Sequence, residues 1–339
     1  MQEKFSRHRR QFLKATPAIA LAPYAASLSG CSSSERPAGI PVSSFGYRST
    51  AEEVTAGVDL SGKTALVTGC NSGIGYETMR VLALRGAHVY GTGRTLEKAA
   101  AACASVSGDT TPLAVELTDF DSITEATNAI KAMSAPLDIL ICNAGIMELP
   151  ELEQVNGIEK QFYVNHLGHF VLVNQLLDQV VAAPQGRIVT VSSGRATAAT
   201  PAEGIEFDNL SGEKGYDPAL AYGQSKLANV LFTLELARQL EETDATANSL
   251  RPGVIATNLG RHLPRWKVVA LETVGRVFTK TMAEGAATTC YVATAPALSD
   301  VSGYFFDHSN PVRAGGFTED SEMARQLWDA SEQLAAGYV

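Results

Sequence analysis

The stretch from Lys63 to Arg85 leaves few folds open. An apolar run, Thr64-Ala65-Leu66-Val67, enters the turn Thr68-Gly69-Cys70-Asn71-Ser72-Gly73-Ile74-Gly75, and beyond it Ile74, Met79, Val81 and Leu82 recur at helical spacing. A short unbroken apolar run is the pattern of a strand buried in a parallel sheet, so strand, turn and helix succeed one another in that order. Glycines at 69, 73 and 75 let the chain turn tightly, approach a ligand without a Cβ in the way and set the helix close on the strand. The free N–H groups at the helix start then offer a seat for a pyrophosphate. A glycine triplet alone also describes an ordinary glycine-rich loop, so the residues downstream of it must decide between the two.

The rest of the chain repeats the alternation. Strands are expected at His88-Val89-Tyr90, Leu113-Ala114-Val115, Ile139-Leu140-Ile141-Cys142, Arg187 to Val191, Thr246 to Leu250 and Gly303 to Phe306. Helices are expected at Leu96 to Ala104, Ser122 to Met133 with Ser122 as N-cap and Glu125 three residues on, Gly157 to Val181, Tyr222 to Glu241, Met282 to Thr294 and Ser321 to Leu334. Alternating strands and helices mean right-handed crossovers and one mostly parallel sheet with helices on both faces. The expected fold is therefore a single doubly wound α/β domain of the Rossmann type, spanning residues 45–339, with about seven strands. No internal repeat and no second domain is evident.

The first residues are a different kind of sequence. Arg9-Arg10-Gln11-Phe12-Leu13-Lys14 precedes an uncharged, Ala-rich stretch from Ala15 to Gly30, too short to span a bilayer comfortably. Residues 1–30 are expected to be a leader, and the arginine pair resembles a twin-arginine export signal read by the export machinery. Leu28-Ser29-Gly30-Cys31 resembles a lipobox, which would leave Cys31 as the lipid-modified first residue and residues 31–44, rich in Ser, Pro and Gly, as a tether. The expected location is periplasmic or cell-surface, anchored through Cys31; cleavage after Ala20-Leu21-Ala22 would instead leave a soluble exported protein. The chain carries a formal charge of −9, and residues 1–30 hold five basic residues against Glu3, so the body is more acidic still. That balance argues against nucleic acid or an anionic membrane as the main partner. Cys70, Cys103, Cys142 and Cys290 show no metal-ligand spacing, so no metal is expected and the thiols are expected to be free.

Tyr222-Gly223-Gln224-Ser225-Lys226 puts a phenol and an ammonium one helical turn apart on one face. A cation that close is expected to lower the tyrosine pKa and make it a usable acid and base, though an exposed Tyr/Lys pair is common on any helix. Ser193, in Val191-Ser192-Ser193-Gly194, falls at the carboxyl end of a strand, where open α/β sheets bind ligands. Its hydroxyl would hold a substrate oxygen, though Ser-Ser-Gly is also ordinary turn chemistry.

The glycine turn, Asn143-Ala144-Gly145, Asn165, Ser193, Tyr222, Lys226 and Arg251-Pro252-Gly253 together resemble, in order and context, the short-chain dehydrogenase/reductase family from about residue 45 onward. Asp59-Leu60-Ser61-Gly62-Lys63, Asn71 to Thr78, Tyr222 to Asn229 and Gln326-Leu327-Trp328 look most like its retinol-dehydrogenase and WW-domain-oxidoreductase branch, without a WW module. The resemblance implies that Tyr222 is the general acid/base, that Lys226 lowers its pKa and holds the nicotinamide ribose, that Ser193 polarises the carbonyl and that Asn165 completes a proton relay through water. It also implies cofactor contacts from Gly69, Asn71, Ser72, Gly73, Ile74, Gly75, Asn143, Ala144, Gly145, Pro252, Gly253 and Thr257. Of two neighbouring serines, Ser193 matches the family position better than Ser192. Glu116, beside Leu117, stands where the family usually meets the adenine with an Asp.

Charge bears on which dinucleotide is bound. After the second strand the chain runs Gly91-Thr92-Gly93-Arg94-Thr95, with a guanidinium and no carboxylate, which favours the 2′-phosphate of NADP(H) over the free ribose of NAD(H). Leu259 to Val277, with Leu263, Pro264, Trp266, Val268, Val269 and Leu271, falls where the family places its substrate lid. An apolar lid suggests a lipophilic alcohol, aldehyde or ketone, though a core helix would look the same. The expected activity is hydride transfer between a nicotinamide and such a small molecule, in a chain that could form a homo-oligomer. The alternative is a dinucleotide-binding lipoprotein that acts as a scaffold or sensor.

Overall fold

Apolar runs flanked by turns become the sheet. In the computed structural model, which describes residues 35–133, 135–253 and 279–339, the strands are β1 (Thr64–Val67), β2 (His88–Gly93), β3 (Thr110–Ala114), β4 (Ile139–Cys142), a separate hairpin of β5 (Gln154–Val155) and β6 (Ile158–Glu159), then β7 (Arg187–Val191), β8 (Thr246–Arg251), β9 (Phe305–Asp307) and β10 (Asn310–Pro311). The main sheet has eight strands in the order β10-β9-β8-β7-β4-β1-β2-β3. All its pairings are parallel except β9 with β10. That short antiparallel strand is the one beyond the seven expected.

The helices are α1 (Ala51–Val54), α2 (Gly73–Leu84), α3 (Leu96–Ala104), α4 (Phe120–Ala132), α5 (Lys160–Phe162), α6 (Gly168–Val181), α7 (Arg195–Ala198), α8 (Pro218–Gln239), α9 (Met282–Thr294) and α10 (Ser321–Leu334). Successive strand residues point to opposite faces, and both faces are buried. Leu66, Leu140 and Ile188 join the core beneath α4, α6 and α8, while Ala65, Val67, Ile141 and Val189 join the one beneath α2, α3 and α9. After β3 the chain returns to pair β4 with the other side of β1. The carboxyl ends of β1 and β4 thus form the crevice where such sheets hold ligands.

Four local details differ from the sequence expectations. β3 spans Thr110–Ala114, not Leu113 to Val115; it is an edge strand, where Pro112 removes no needed ladder bond. Asp119, not Ser122, caps α4, accepting from the Asp121 N–H at 3.0 Å, while Ser122 Oγ accepts from the Glu116 N–H at 3.1 Å. The helix expected from Gly157 starts at Lys160 because Asn156 and Gly157, at φ +52° and +79°, turn the β5–β6 hairpin. It then widens into a π-turn over Tyr163–Leu167, with the Gly168 N–H donating five residues back to Tyr163. Helix α8 begins at Pro218 on an Asp217 cap, a turn before Tyr222.

Residues 35–44, expected to close the tether, touch the domain at several points. The Ser43 N–H donates to Asn310 Oδ1 at 2.9 Å, Ser43 Oγ donates to the Ser309 carbonyl at 2.9 Å, and the Arg313 N–H donates to the Glu35 carbonyl at 2.8 Å. The leader, Cys31, Thr257 and the lid stretch from Leu259 to Val277 lie outside the described residues.

Candidate active site

The turn after β1 is built for close approach. Gly69 and Gly73 sit at φ +74° and +66°, a region that disfavours side chains. A Cβ on Gly75 would stand 2.4 Å from both Asn143 Nδ2 and the Gly69 carbonyl oxygen, so only glycine lets α2 start there. Asn143 ties the turn to β4: its Nδ2 donates to the Thr68 carbonyl, and its N–H and that of Ala144 both donate to Thr68 Oγ1, each at 2.9 Å. Asn71 and Ser72 are exposed, and Ser72 caps α2 without a side-chain hydrogen bond. The first N–H groups of a twelve-residue helix are thus left to other acceptors, which suits a diphosphate.

The other site residues gather at the same edge. Arg94 is exposed directly after β2. Glu116 turns its carboxylate back on the Thr118 N–H at 3.1 Å, and Leu117 beside it is buried. A Cβ on Gly145 would lie 3.0 Å from Asn165 Oδ1 and 3.5 Å from Lys226 Nζ, so this glycine keeps the cleft floor open beside both. Gly253, after Pro252 at the end of β8, has φ +93° and lies against the Lys280 side chain.

Strand alternation separates the two serines. Ser192 is buried, and its Oγ donates to the Lys226 carbonyl at 2.7 Å, stitching β7 to α8. Ser193 faces the other way; its Oγ accepts from the Arg195 N–H at 3.2 Å, and its hydroxyl is near enough to the Tyr222 phenol to favour the ionised form. Lys226 Nζ donates to the Val191 carbonyl at 3.0 Å and lies 5.9 Å from the Tyr222 ring centroid. Asn165, in the π-turn, is buried; its Oδ1 accepts from the Ile146 N–H at 2.8 Å, and its Nδ2 donates to the Ile146 carbonyl and Ser225 Oγ, both at 2.9 Å.

One expectation reverses. Burial pushes the Tyr222 phenol up to about 12; the Ser193 hydroxyl and the Arg195 guanidinium pull it down and Glu148 pushes it up. Lys226 is itself brought down to about 8 by burial. Loss of water around both groups outweighs the attraction that their spacing implied. Glu148 and Arg195, paired at 3.1 Å near the phenol, join the site without any motif in the sequence to single them out. Glu148 adopts φ +47°, which no local pattern announces. Cys70, Cys103, Cys142 and Cys290 are all buried free thiols, as expected.

This arrangement can hold a dinucleotide along one edge and set a hydroxyl pair against a bound oxygen. The short chain dehydrogenase profile matches residues 63–205. The chain is 41% identical over 305 residues to short-chain dehydrogenase TIC 32 A, chloroplastic, of Brassica napus, covering 86% of this chain and 94% of that one. It is 40% identical over 285 residues to human retinol dehydrogenase 13, covering 81% and 85%. Among solved structures, the Pseudomonas aeruginosa RhlG/NADP active-site complex superposes with a TM-score of 0.60 at 25% identity, over 74% of this chain and 95% of that one. The chain therefore belongs to the short-chain dehydrogenase/reductase family, as a dehydrogenase/reductase enzyme whose cofactor is a nicotinamide dinucleotide.

Proposed function

We propose that the protein is an exported, NADP-dependent reductase or dehydrogenase of lipophilic carbonyls and alcohols, with Tyr222 as its general acid/base. The observation that carries the reading is the gathering of the Ser193 hydroxyl beside the buried Tyr222 phenol, with Lys226 one turn along α8, at the sheet edge that bears the uncapped glycine turn. The nicotinamide would supply the hydride to the substrate carbon, or take it back. The protein's own part is proton handling at the oxygen. Arg195 N–H occupies a lone pair of Ser193 Oγ, so the Ser193 proton is free to point at Tyr222 or a substrate oxygen. Tyr222 Oη gives its proton to that oxygen in reduction and takes it back in oxidation. Lys226 keeps donors beyond its bond to Val191 for ribose hydroxyls, and Asn165 braces Ile146 and Ser225 beside it. Gly69, Asn71, Ser72, Gly73, Ile74 and Gly75 would hold the diphosphate, and Asn143, Ala144, Gly145, Leu117, Glu116, Pro252, Gly253 and Thr257 would line the remaining cleft.

A screen of hydrophobic aldehydes, ketones and alcohols with both dinucleotides, read by absorbance of the reduced nicotinamide, tests this. Turnover with NADPH is expected; none with either cofactor would defeat the reading. The preference for NADP is supported by exposed Arg94 after β2 and the absence of a carboxylate in Gly91 to Thr95. Arg94→Asp is expected to raise the KM for NADPH roughly tenfold or more while leaving that for NADH within a factor of about three, since a charged Arg–phosphate contact is lost only with the former. Equal changes would make Arg94 a bystander.

Export and anchoring rest on Arg9-Arg10 and on Leu28-Ser29-Gly30-Cys31. Mass spectrometry of the mature N-terminus is expected to find a lipid-modified Cys31; an unmodified terminus elsewhere would remove the anchor. Twin-arginine export of a folded, cofactor-loaded chain would explain how a dinucleotide reaches that compartment.

A further inference from the structure

His169 lies on neither the glycine turn nor the tyrosine helix, yet its ring joins both sides of the crevice. It sits on α6, buried, one turn after Asn165. Its Nδ1 is 3.0 Å from the Asn165 main-chain oxygen, and its Nε2 is 2.9 Å from Thr68 Oγ1. A carbonyl oxygen only accepts, so Nδ1 carries the proton. Burial, reinforced by the Lys226 charge and opposed by the Asn165 bond, holds the imidazole down to about 4; the ring is neutral and Nε2 is bare. The Thr68 hydroxyl must then donate to Nε2. That leaves the Thr68 oxygen free to accept the Asn143 and Ala144 N–H groups, both at 2.9 Å. With the proton on Nε2 instead, Thr68 would face three donors and the Asn165 oxygen would face a lone pair. A single ring proton thus sets the direction of both imidazole hydrogen bonds, and so which way the Thr68 hydroxyl points between the π-turn and the glycine turn.

We propose that His169 is a positioning residue coupling the cofactor turn to the proton-handling side of the site. Its Nε2 orients the Thr68 hydroxyl that holds Asn143 and Ala144 beside the glycine turn, and its Nδ1–H holds the turn that carries Asn165. Asn165 in turn fixes Ile146 and Ser225, and Ser225 Oγ donates to the Tyr222 carbonyl at 2.8 Å. The inference rests on the glycine turn being the dinucleotide seat.

Two conservative variants of the full-length protein separate the two halves of the coupling. His169→Asn keeps an amide near the Nδ1 position and loses the contact with Thr68; His169→Gln keeps an acceptor near the Nε2 position and loses the contact with Asn165. For His169→Asn the Kd for NADPH is expected to rise about tenfold, while exchange of the Ile146 amide, which donates to Asn165, changes less than about threefold. For His169→Gln the expectation is reversed: Ile146 exchange faster by about tenfold, NADPH Kd within about threefold. Both readouts moving together in both variants, or neither moving, would overturn the coupling. Nitrogen NMR of the wild-type imidazole tests it without mutation: an Nδ1–H, non-titrating ring across about pH 6 to 8 is expected, and an Nε2–H ring or a titration in that range would overturn it. Wild-type protein that binds neither NADPH nor NADH would instead overturn the dinucleotide reading, whatever the imidazole shows.

Discussion

Tyr222→Phe should abolish turnover, by about 10²- to 10⁴-fold, while dinucleotide affinity stays within about threefold of wild type. Only the hydroxyl is removed. The ring keeps its buried place on α8, and Ser193 Oγ keeps the Arg195 N–H as partner, so the stability cost is about 1 kcal/mol. A phenol held up at about 12 also fixes the sign of the wild-type pH dependence. At neutral pH it is protonated and ready to give a proton, so carbonyl reduction needs no prior ionisation. Alcohol oxidation needs the phenolate, and its rate should climb as pH rises from about 7 to 9, the reduction rate showing no such climb. Stopped-flow absorbance of the reduced nicotinamide, with binding followed separately by fluorescence, gives both quantities. A Phe variant keeping more than about a tenth of wild-type turnover would remove Tyr222 from the chemistry.

How much of this could be seen in the residues depends on what each pattern encodes. Strands β1, β4 and β7 were legible because a parallel strand covered on both faces must be apolar throughout, and their boundaries matched the sequence expectation. The β5–β6 hairpin carried its own signal in Val155-Asn156-Gly157-Ile158, where Asn-Gly sits between apolar residues; the helical run behind it masked that two-residue turn. The π-turn over Tyr163–Leu167 leaves no mark in spacing, since a widened turn is imposed by what packs around it. For Tyr222 and Lys226 the four-residue spacing gave proximity, and nothing in it gave depth. Both are buried, and burial decides the direction of their pKa values. The choice of Ser193 over Ser192 rested on a family position; in the structure it becomes a matter of strand period, one hydroxyl turned into α8 and the other toward the phenol.

Gly223→Ala, beside the tyrosine, should cost nearly as much activity without touching a reacting atom. A Cβ there would stand 1.7 Å from the Ala199 carbonyl oxygen, 2.5 Å from its carbon and 3.0 Å from the Arg195 carbonyl oxygen. These are backbone atoms, so no side-chain rotation relieves the clash. Alanine gains up to about 1 kcal/mol in helix propensity, but here α7 and α8 must part by more than an ångström. Overpacking of that kind costs about 1–3 kcal/mol, which a melting curve will register. The larger effect is on geometry. Displacing α7 carries Arg195 with it, and the Arg195 N–H is what aims Ser193; displacing α8 carries Tyr222, the adjacent residue in the chain. A misplacement of about 1 Å between proton donor and reacting oxygen can lower turnover about 10²-fold, and that is the expected loss, with NADPH binding largely kept because the glycine turn belongs to other elements. Gly46→Ala, where a Cβ would meet nothing within 4 Å, serves as the control and should leave both turnover and melting temperature unmoved. A Gly223→Ala variant as active as wild type would mean that the backbone contact between α7 and α8 does not hold Ser193 and Tyr222 in register.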